Sequence, residues 1–477
     1  MPQLKVLIVS TEVSPYAKSG GLGEVAGSLP KALEKNGVDA RVVFPKYKNS
    51  KDKLKNPVFL ASYPVTLGWR SQNAAVSQIE AEVTTYVIEN EYYFGRDGFY
   101  GYGDDFERFA FFTKAAIEML AQIDFQADVV HFNDWQTGLG PVYLNDIYRR
   151  FVFYEKMKSI FTIHNLQYQG VFGQSVLGTI GLNDGYFTSD KLEFYGNISF
   201  MKAGIVYADT VTTVSQTYSM EIQTPGYGYG MDGVLVRRRE SLVGILNGID
   251  DKRYNPETDD RIFEKYSAKN FEPKKNNKAE LQKMLNLPVR PEVPIIGLIT
   301  RLVDQKGLDL INISMGELMN KDIQMVVLGT GDWQYENMFK YMAGCNPSKV
   351  NANICFNEDL AQKIYAGSDM FLMPSLFEPC GLGQLFSMRY GTIPIVRNTG
   401  GLADTVKHFN SETRQGNGFV FNDYRADGMM WGINTALSVF YNRPEWETLI
   451  RNAMECDFSW NRSATQYIEL YKKTGDY

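Results

Sequence analysis

"LKVLIVSTEVSPYAKSGGLGEVAGSLPKALEKNG" occupies residues 4–37. An apolar run reads as a strand, a loop carrying Gly20, Gly21, Gly23 and Gly27 follows, and apolar residues then recur at helical spacing. Strand, loop and helix in that order open a βαβ unit. A glycine-rich loop in this place either holds an anion against backbone amides or makes a tight turn with close helix–sheet packing. The residues alone leave both open. A nucleotide-binding P-loop needs its glycines before a Lys-Ser/Thr pair, and here Lys18-Ser19 comes first. The dinucleotide fingerprint fits formally, with Gly21, Gly23 and Ala26 in the frame G-x-G-x-x-G/A. However, the stretch from Ser10 to Ser19 separates strand from fingerprint, and "VVFPKYK" ends the next strand without an acid, so an NAD site is disfavoured.

The same rhythm runs along the chain. Strands are read at 5–10, 39–44, 127–132, 159–164 and 210–215, then at 293–300, 323–329, 369–374, 392–397 and 417–421. Several are almost continuously apolar, as strands covered by helices on both faces must be. The rhythm breaks between 220 and 290, at "TPGYGYGMDG", at the turn-rich "ILNGIDDKRYNPETDD" and at a polar, lysine-rich segment. The fold class is therefore α/β: two Rossmann-like doubly wound domains, 1–245 and 246–455. A helical segment, 456–477, returns to the first domain. Ligands of such sheets meet the carboxyl ends of the strands, and the default active site is the interdomain cleft.

Bulk properties narrow the function. A chain of 477 residues with net charge −6 lacks the basic face that nucleic acid needs. Basic runs such as "EPKKNNK" read as solvated helix ends. No apolar run reaches the ~18 residues of a bilayer span, and the N-terminus lacks the pattern of a signal peptide. Four cysteines without a CxxC pair and three histidines make a disulfide framework or a metal cage implausible. A cytoplasmic enzyme without metal or cofactor is expected, its oligomeric state left open.

Polar constellations recur at strand ends. "HFNDWQTG" places Asn133, Asp134 and Trp135 there, as a ligand contact or as a capping Asp with a buried Trp. His164 ends "SIFTIH", either as a structural histidine or in a site. Arg301 and Lys306 in "TRLVDQKG" suit a diphosphate, Arg as a planar fork and Lys as a point charge, or are plain surface cations. Gly329 and Gly331 follow another buried strand, either letting a nucleotide approach the backbone or making a turn. In "SLFEPCGLGQL", Glu378 either complements a helix N-terminus or faces a substrate. Thr399, Gly400 and Gly401 supply one more glycine pair ahead of a helix, an amide-rich place for an anion or a sugar.

In order along the chain, "KSGGLGEV", "RDGFYGYGDDFERFAFFTKAA", "HFNDWQTG", "TIHNLQYQG", "TPGYGYGMDGVL", "NGID", "TRLVDQKGLDL", "FEPCGLGQL" and "NTGGLADTV" resemble the bacterial glycogen synthase and plant starch synthase family of retaining glycosyltransferases. The resemblance spans essentially the whole chain and implies the GT-B fold. It implies transfer of glucose from ADP-glucose to the non-reducing 4-hydroxyl of glycogen or another α-1,4-glucan. It places Lys18, with Gly20 and Gly21, near the donor phosphates and glucose, and Arg301 and Lys306 on the diphosphate. Glu378 sits by the donor glucose, with Cys380, Gly381 and Leu382 in its loop. His164, Asn165, Asp134 and Asn247 line the sugar site. Phe356 stands where the family has a tyrosine stacked on adenine. Three departures are visible: Glu24 for the usual aspartate, Phe356 for tyrosine, and Gly383 for a frequent threonine. Cations on both domains imply domain closure. Competing readings are the same transfer from UDP-glucose and a non-catalytic glucan- or nucleotide-binding protein.

Overall fold

The computed structural model describes residues 3–475. Met1 and Pro2, ahead of the first strand, and Asp476 and Tyr477, at the end of the C-terminal helical segment, lie outside the described residues. The chain divides into two units. One runs to Gly248 and takes back the segment from Trp460; the other is Ile249–Ser459. The breaks fall a few residues beyond the expected boundaries at 245 and 455.

Among the described residues the first unit has twelve strands: β1 Lys5–Val9, β2 Asp39–Pro45, β3 Val58–Leu67, β4 Arg70–Ile79, β5 Thr85–Glu89, β6 Val129–Asn133, β7 Lys158–Ile163, β8 Val171–Gly173, β9 Glu193–Phe194, β10 Asn197–Ser199, β11 Thr210–Thr213 and β12 Leu242–Gly244. Nine form one sheet in the order β12-β11-β7-β6-β1-β2-β5-β4-β3, and β8, β10 and β9 form a small separate one. The large sheet is parallel from β12 to β5. It then turns antiparallel through the β3–β4 hairpin. That hairpin, β5, β12 and the small sheet are absent from the sequence reading. Along β3, Tyr63, Val65 and Leu67 are buried between exposed neighbours. This one-faced alternation is the mark of an antiparallel edge rather than of a strand covered twice.

The second unit has six parallel strands: β13 Ile295–Ile299, β14 Gln324–Leu328, β15 Val350–Asn353, β16 Met370–Met373, β17 Ile393–Arg397 and β18 Phe419–Phe421, ordered β15-β14-β13-β16-β17-β18. Only β15, the polar edge strand "VNAN", escapes the sequence pattern. In each sheet the first strand lies where the winding reverses, β1 between β2 and β6, β13 between β14 and β16. Such reversal points open crevices at the carboxyl ends of the strands.

Two local readings change. "EPKKNNK" is not a solvated helix end. Lys274, first residue of the helix Lys274–Met284, is buried and donates to the carbonyls of Tyr365 (3.3 Å) and Ala366 (2.7 Å) and to Thr392 Oγ1 (2.8 Å). Burial pushes its ammonium down to about 7. Lys278 is buried against Asp369 at 2.8 Å. The turn-rich stretch after Gly248 is also more than a connection, because Ile249, Tyr254, Ile262, Tyr266 and Phe271 enter the core of the second unit.

The C-terminal helix Trp460–Gly475 buries Trp460, Ala464, Tyr467 and Tyr471 in the first unit's core. Ser463 Oγ donates to the Leu246 carbonyl at 2.6 Å, and Tyr471 OH meets His131 Nδ1 at 2.9 Å.

Candidate active site

In the first unit the chain leaves β1 at Ser10, loops, and enters the helix Gly21–Lys35. Gly21 and Gly23 of the fingerprint frame thus lie inside the helix's first turn, not in a turn before it. This is the physical reason the dinucleotide frame fails. The glycines divide by purpose. A Cβ on Gly27 would meet the Ser14 carbonyl at 2.5 Å, and one on Gly23 would meet Ala17 and Lys18 at 3.2 Å. These two serve close packing. Gly20 and Gly21 would meet nothing within 4 Å, and Gly20 is extended at φ −162°. Neither the chain's packing nor its backbone requires glycine there, so those two positions leave an approach open from outside.

Lys18 Nζ lies 2.5 Å from Glu24 Oε1. Beneath the loop is a residue the sequence reading missed. The buried Glu12 carboxylate accepts from the Ser19 amide (2.5 Å), the Gly20 amide (3.2 Å), Ser19 Oγ (2.6 Å) and Tyr100 OH (2.6 Å). Nothing in "STEVSPYAKS" signals that this acid folds back onto 19–20.

The ends of β6 and β7 are tied to β1. Asn133 Nδ2 donates to the carbonyls of Val9 and His131, both at 3.2 Å, which turns its Oδ1 toward His164 Nε2 at 2.9 Å. With the amide so oriented, Nε2 carries the proton and Nδ1 remains the ring's acceptor. Burial lowers the His164 imidazole to about 3, so the ring is neutral at pH 7. Asp134 does not cap the turn Trp135–Thr137, which has no side-chain cap. Its Oδ1 takes the amides of His164 (2.8 Å) and Asn165 (3.4 Å) instead. Burial pushes its carboxyl up to about 7, against those two bonds. Asp134 also sits at φ 58°, a conformation that non-glycine residues hold only where their surroundings force it. Asn165 Oδ1 takes the Gln167 amide at 3.0 Å. Asn247 is buried, and its Oδ1 has no hydrogen-bond partner. Such an orphaned acceptor costs free energy unless something donates to it.

In the second unit the loop after β13 exposes Arg301 and turns through Gly307 at φ 68°, where a Cβ would strike the Pro374 carbonyl at 2.0 Å. This close approach brings Lys306 to the loop after β16. Its Nζ lies 2.7 Å from Glu378 Oε2, which also accepts from Ser375 Oγ at 3.1 Å. Glu378 thus faces a lysine, not a helix N-terminus; the next helix is Gly383–Arg389. The glycines after β17 are structural. Cβ atoms at Gly400 and Gly401 would lie 2.0 Å from the carbonyls of Glu378 and Cys380, and Gly401 donates its amide to the Glu378 carbonyl at 3.0 Å. Thr399 is buried beside them, while Gly381 takes φ +71° over Gln384. Cys380 is buried and Leu382 packs partly on the core. Gly329 lets its strand end pass the Thr300 carbonyl, which a Cβ would meet at 1.9 Å. Phe356, after β15, stands apart with 80% of its surface exposed. Its strand, β15, lies two strands from β13, about 10 Å at ordinary strand spacing.

Among the described residues no helix is long and apolar enough to cross a membrane, and no group of three or more His, Cys, Asp or Glu side chains is placed to hold a metal ion.

Residues 5–237 match the family model of the starch synthase catalytic domain, and residues 282–453 that of glycosyl transferases group 1. The glycogen synthase of Desulforudis audaxviator (strain MP104C) is 53% identical over 485 residues, covering 98% of this chain and 96% of that one. That of Clostridium acetobutylicum is 51% identical, covering 98% and 99%. Among solved structures, the catalytic domain of starch synthase IV from Arabidopsis thaliana bound to ADP and acarbose superposes with a TM-score of 0.92 at 33% identity over 100% of both chains. A sucrose-phosphate synthase from Thermosynechococcus elongatus, at TM-score 0.62 and 18% identity, shares the fold alone. The two doubly wound units are thus the Rossmann-like domains of a GT-B glycosyltransferase, and the chain belongs to the glycogen synthase family of enzymes.

Proposed function

We propose that the enzyme transfers glucose from ADP-glucose to the non-reducing 4-hydroxyl of an α-1,4-glucan, with retention at the anomeric carbon. The observation that carries this is the part-buried Lys306–Glu378 pair at the reversal point of the second sheet, in a loop system that also presents Arg301. Breaking a glycosyl–phosphate bond leaves negative charge on the departing diphosphate. Arg301 offers a planar fork to it. Lys306 has three donors and spends one on Glu378, so it can hold a phosphate oxygen while the carboxylate fixes its direction. Lys18 adds charge toward the donor phosphates, and the open faces of Gly20 and Gly21 favour close approach there.

The neutral His164 cannot act as an acid at pH 7. Its Nδ1 suits a sugar hydroxyl as donor, as does the orphaned Asn247 Oδ1. Asp134 orients His164 and Asn165 through their amides. Glu378 sits in a hydrogen-bond network with Lys306 and Ser375 that holds no second carboxylate among the described residues. A retaining hydrolase that works by double displacement holds two carboxyl groups about 5–5.5 Å apart. Glu378 is tied to Lys306 and Ser375 rather than left ready as a nucleophile, which favours front-face transfer, with the leaving phosphate taking the acceptor proton. A covalent glucosyl adduct trapped on Glu378 would overturn that step.

The exposed Phe356 ring suits stacking on a base, and the starch synthase relative that binds ADP favours adenine. Four cysteines without a CxxC pair suit a reducing compartment and support action in the cytoplasm. The test is incubation with glycogen and either ADP-glucose or UDP-glucose, reading released nucleoside diphosphate and primer growth. Faster turnover with ADP-glucose is expected, and preference for UDP-glucose would reverse the donor assignment.

A further inference from the structure

Glu12 is buried, charged, and unused by the chemistry above. Its carboxylate has about four acceptor positions and fills them with two amides and two hydroxyls. Tyr100, one of those hydroxyls, also meets Thr11 Oγ1 at 3.1 Å. It comes from "RDGFYGYGDDFER", a stretch to which no step of the reaction assigns a role. That segment is wound on Arg108, which has no exposed surface. The guanidinium donates to Asp105 Oδ1 (2.8 Å) and to the carbonyls of Phe99 and Tyr93 (both 3.1 Å). Asp105 Oδ2 in turn takes the amides of Gly101 (2.9 Å) and Tyr102 (3.3 Å). A line of bonds therefore runs from the buried Arg108 through the 99–102 turn to Tyr100, to Glu12, and into Ser19 and Gly20.

The amides of Ser19 and Gly20 are thereby filled by the protein's own anion, and a ligand phosphate cannot take them. What the loop has left for a donor is the helix start from Gly21 onward; Lys18, whose Nζ pairs with Glu24 at 2.5 Å, adjoins Ser19, which is bonded through both backbone and side chain. We propose that Glu12, held by Tyr100, is the positioning residue that pre-organises the glycine loop and so aims Lys18. The proposal rests on the assignment of Lys18 to the donor. A misplacement of about 1 Å costs on the order of a hundredfold in rate, which sets the size of effect to look for.

The test uses the full chain and four variants: Glu12→Gln, Tyr100→Phe, Lys18→Ala, and Glu12→Gln combined with Lys18→Ala. Glu12→Gln keeps the shape but turns an amide N–H toward groups that already donate. It is expected to lower kcat/KM for ADP-glucose about a hundredfold, and Tyr100→Phe about tenfold. In the Lys18→Ala background, Glu12→Gln should change kcat/KM by less than about twofold, because its effect passes through Lys18. Hydrogen exchange of a peptide spanning 17–23 should accelerate in both Glu12→Gln and Tyr100→Phe, with the rest of the first unit unchanged. An equal further loss in the Lys18→Ala background, or full activity of Glu12→Gln, overturns the proposal. If Glu12→Gln does not fold, Tyr100→Phe carries the test: unaltered exchange at 17–23 overturns it. Full activity of Lys18→Ala defeats the donor assignment of Lys18 itself, and the positioning role with it.

Discussion

Each unit places a Lys–Glu pair in the loop system around the first strand of its sheet, and the two pairs are built differently. Lys18 and Glu24 come from one loop and the helix it enters, six residues apart, with 25% and 12% of their side chains exposed. Lys306 and Glu378 come from loops 72 residues apart and retain 14% and 8%. The glycines follow the same divide. Gly307, Gly400 and Gly401 are required by carbonyls that a Cβ would strike at 2.0 Å, whereas Gly20 and Gly21 have no neighbour to avoid. One pair is clamped by its own surroundings; the other stands on a loop whose outer face is open. The first is fixed by segments far apart in the chain, the second by one short loop and the helix it enters.

Removing a partner should therefore act unequally on the two sides. Lys306→Ala leaves Glu378 buried without its cation, and should lower kcat by roughly 10³-fold and stability by about 3–5 kcal/mol. Steady-state kinetics with thermal denaturation reads both, and loss of activity at unchanged Tm would contradict the clamped description. Lys18→Ala should lower kcat/KM by about 10²-fold while moving stability by less than about 1 kcal/mol, since its pair is partly solvated. A large drop in Tm would erase the contrast.

The glycines give a smaller and cleaner comparison. Gly400→Ala forces a Cβ onto the Glu378 carbonyl at a φ of +45°, and should destabilise by more than about 2 kcal/mol. Gly20→Ala should fold with the native Tm and weaken ADP-glucose binding about tenfold, measured by calorimetry. Equal Tm losses in both would show that Gly20 is also structural.

The last comparison concerns pH dependence. Burial raises Asp134 to about 7, above its unfolded value, so between those two values the folded state holds a proton that the unfolded state has lost. Its contribution to stability is complete at acid pH and is lost as pH rises through about 7. Asp134→Asn should flatten the fall in Tm between about pH 4 and about 7, and an unchanged slope would show that the carboxyl titrates elsewhere.

Much of this was legible in one dimension, and the failures have physical causes. Doubly covered strands carry continuous apolar runs, so β1, β6, β7, β13, β14, β16 and β17 stand out in the sequence. The β3–β4 hairpin and the edge strand β15 bury one face or little, and their patterns are correspondingly faint. Lys274 and Lys278 read as solvent-exposed because lysine is exposed almost everywhere, and only the carbonyls and carboxylate waiting in the fold reverse that. Asp134 reads as a cap because its position in the chain resembles one. The partners it takes, His164 and Asn165, lie thirty residues on and reach it only through the pairing of β6 with β7.

The sequence by itself determined the family, the alternating strand–helix order, and the candidate residues at strand ends. These follow from local periodicity and short motifs, which do not depend on what the chain later touches. Tertiary structure alone decided which cation meets which acid, which glycines the chain needs for itself, and that Glu12 occupies the amides a ligand would otherwise find. Each of those is a contact between segments brought together by sheet order, and no spacing along the chain encodes a distance across it.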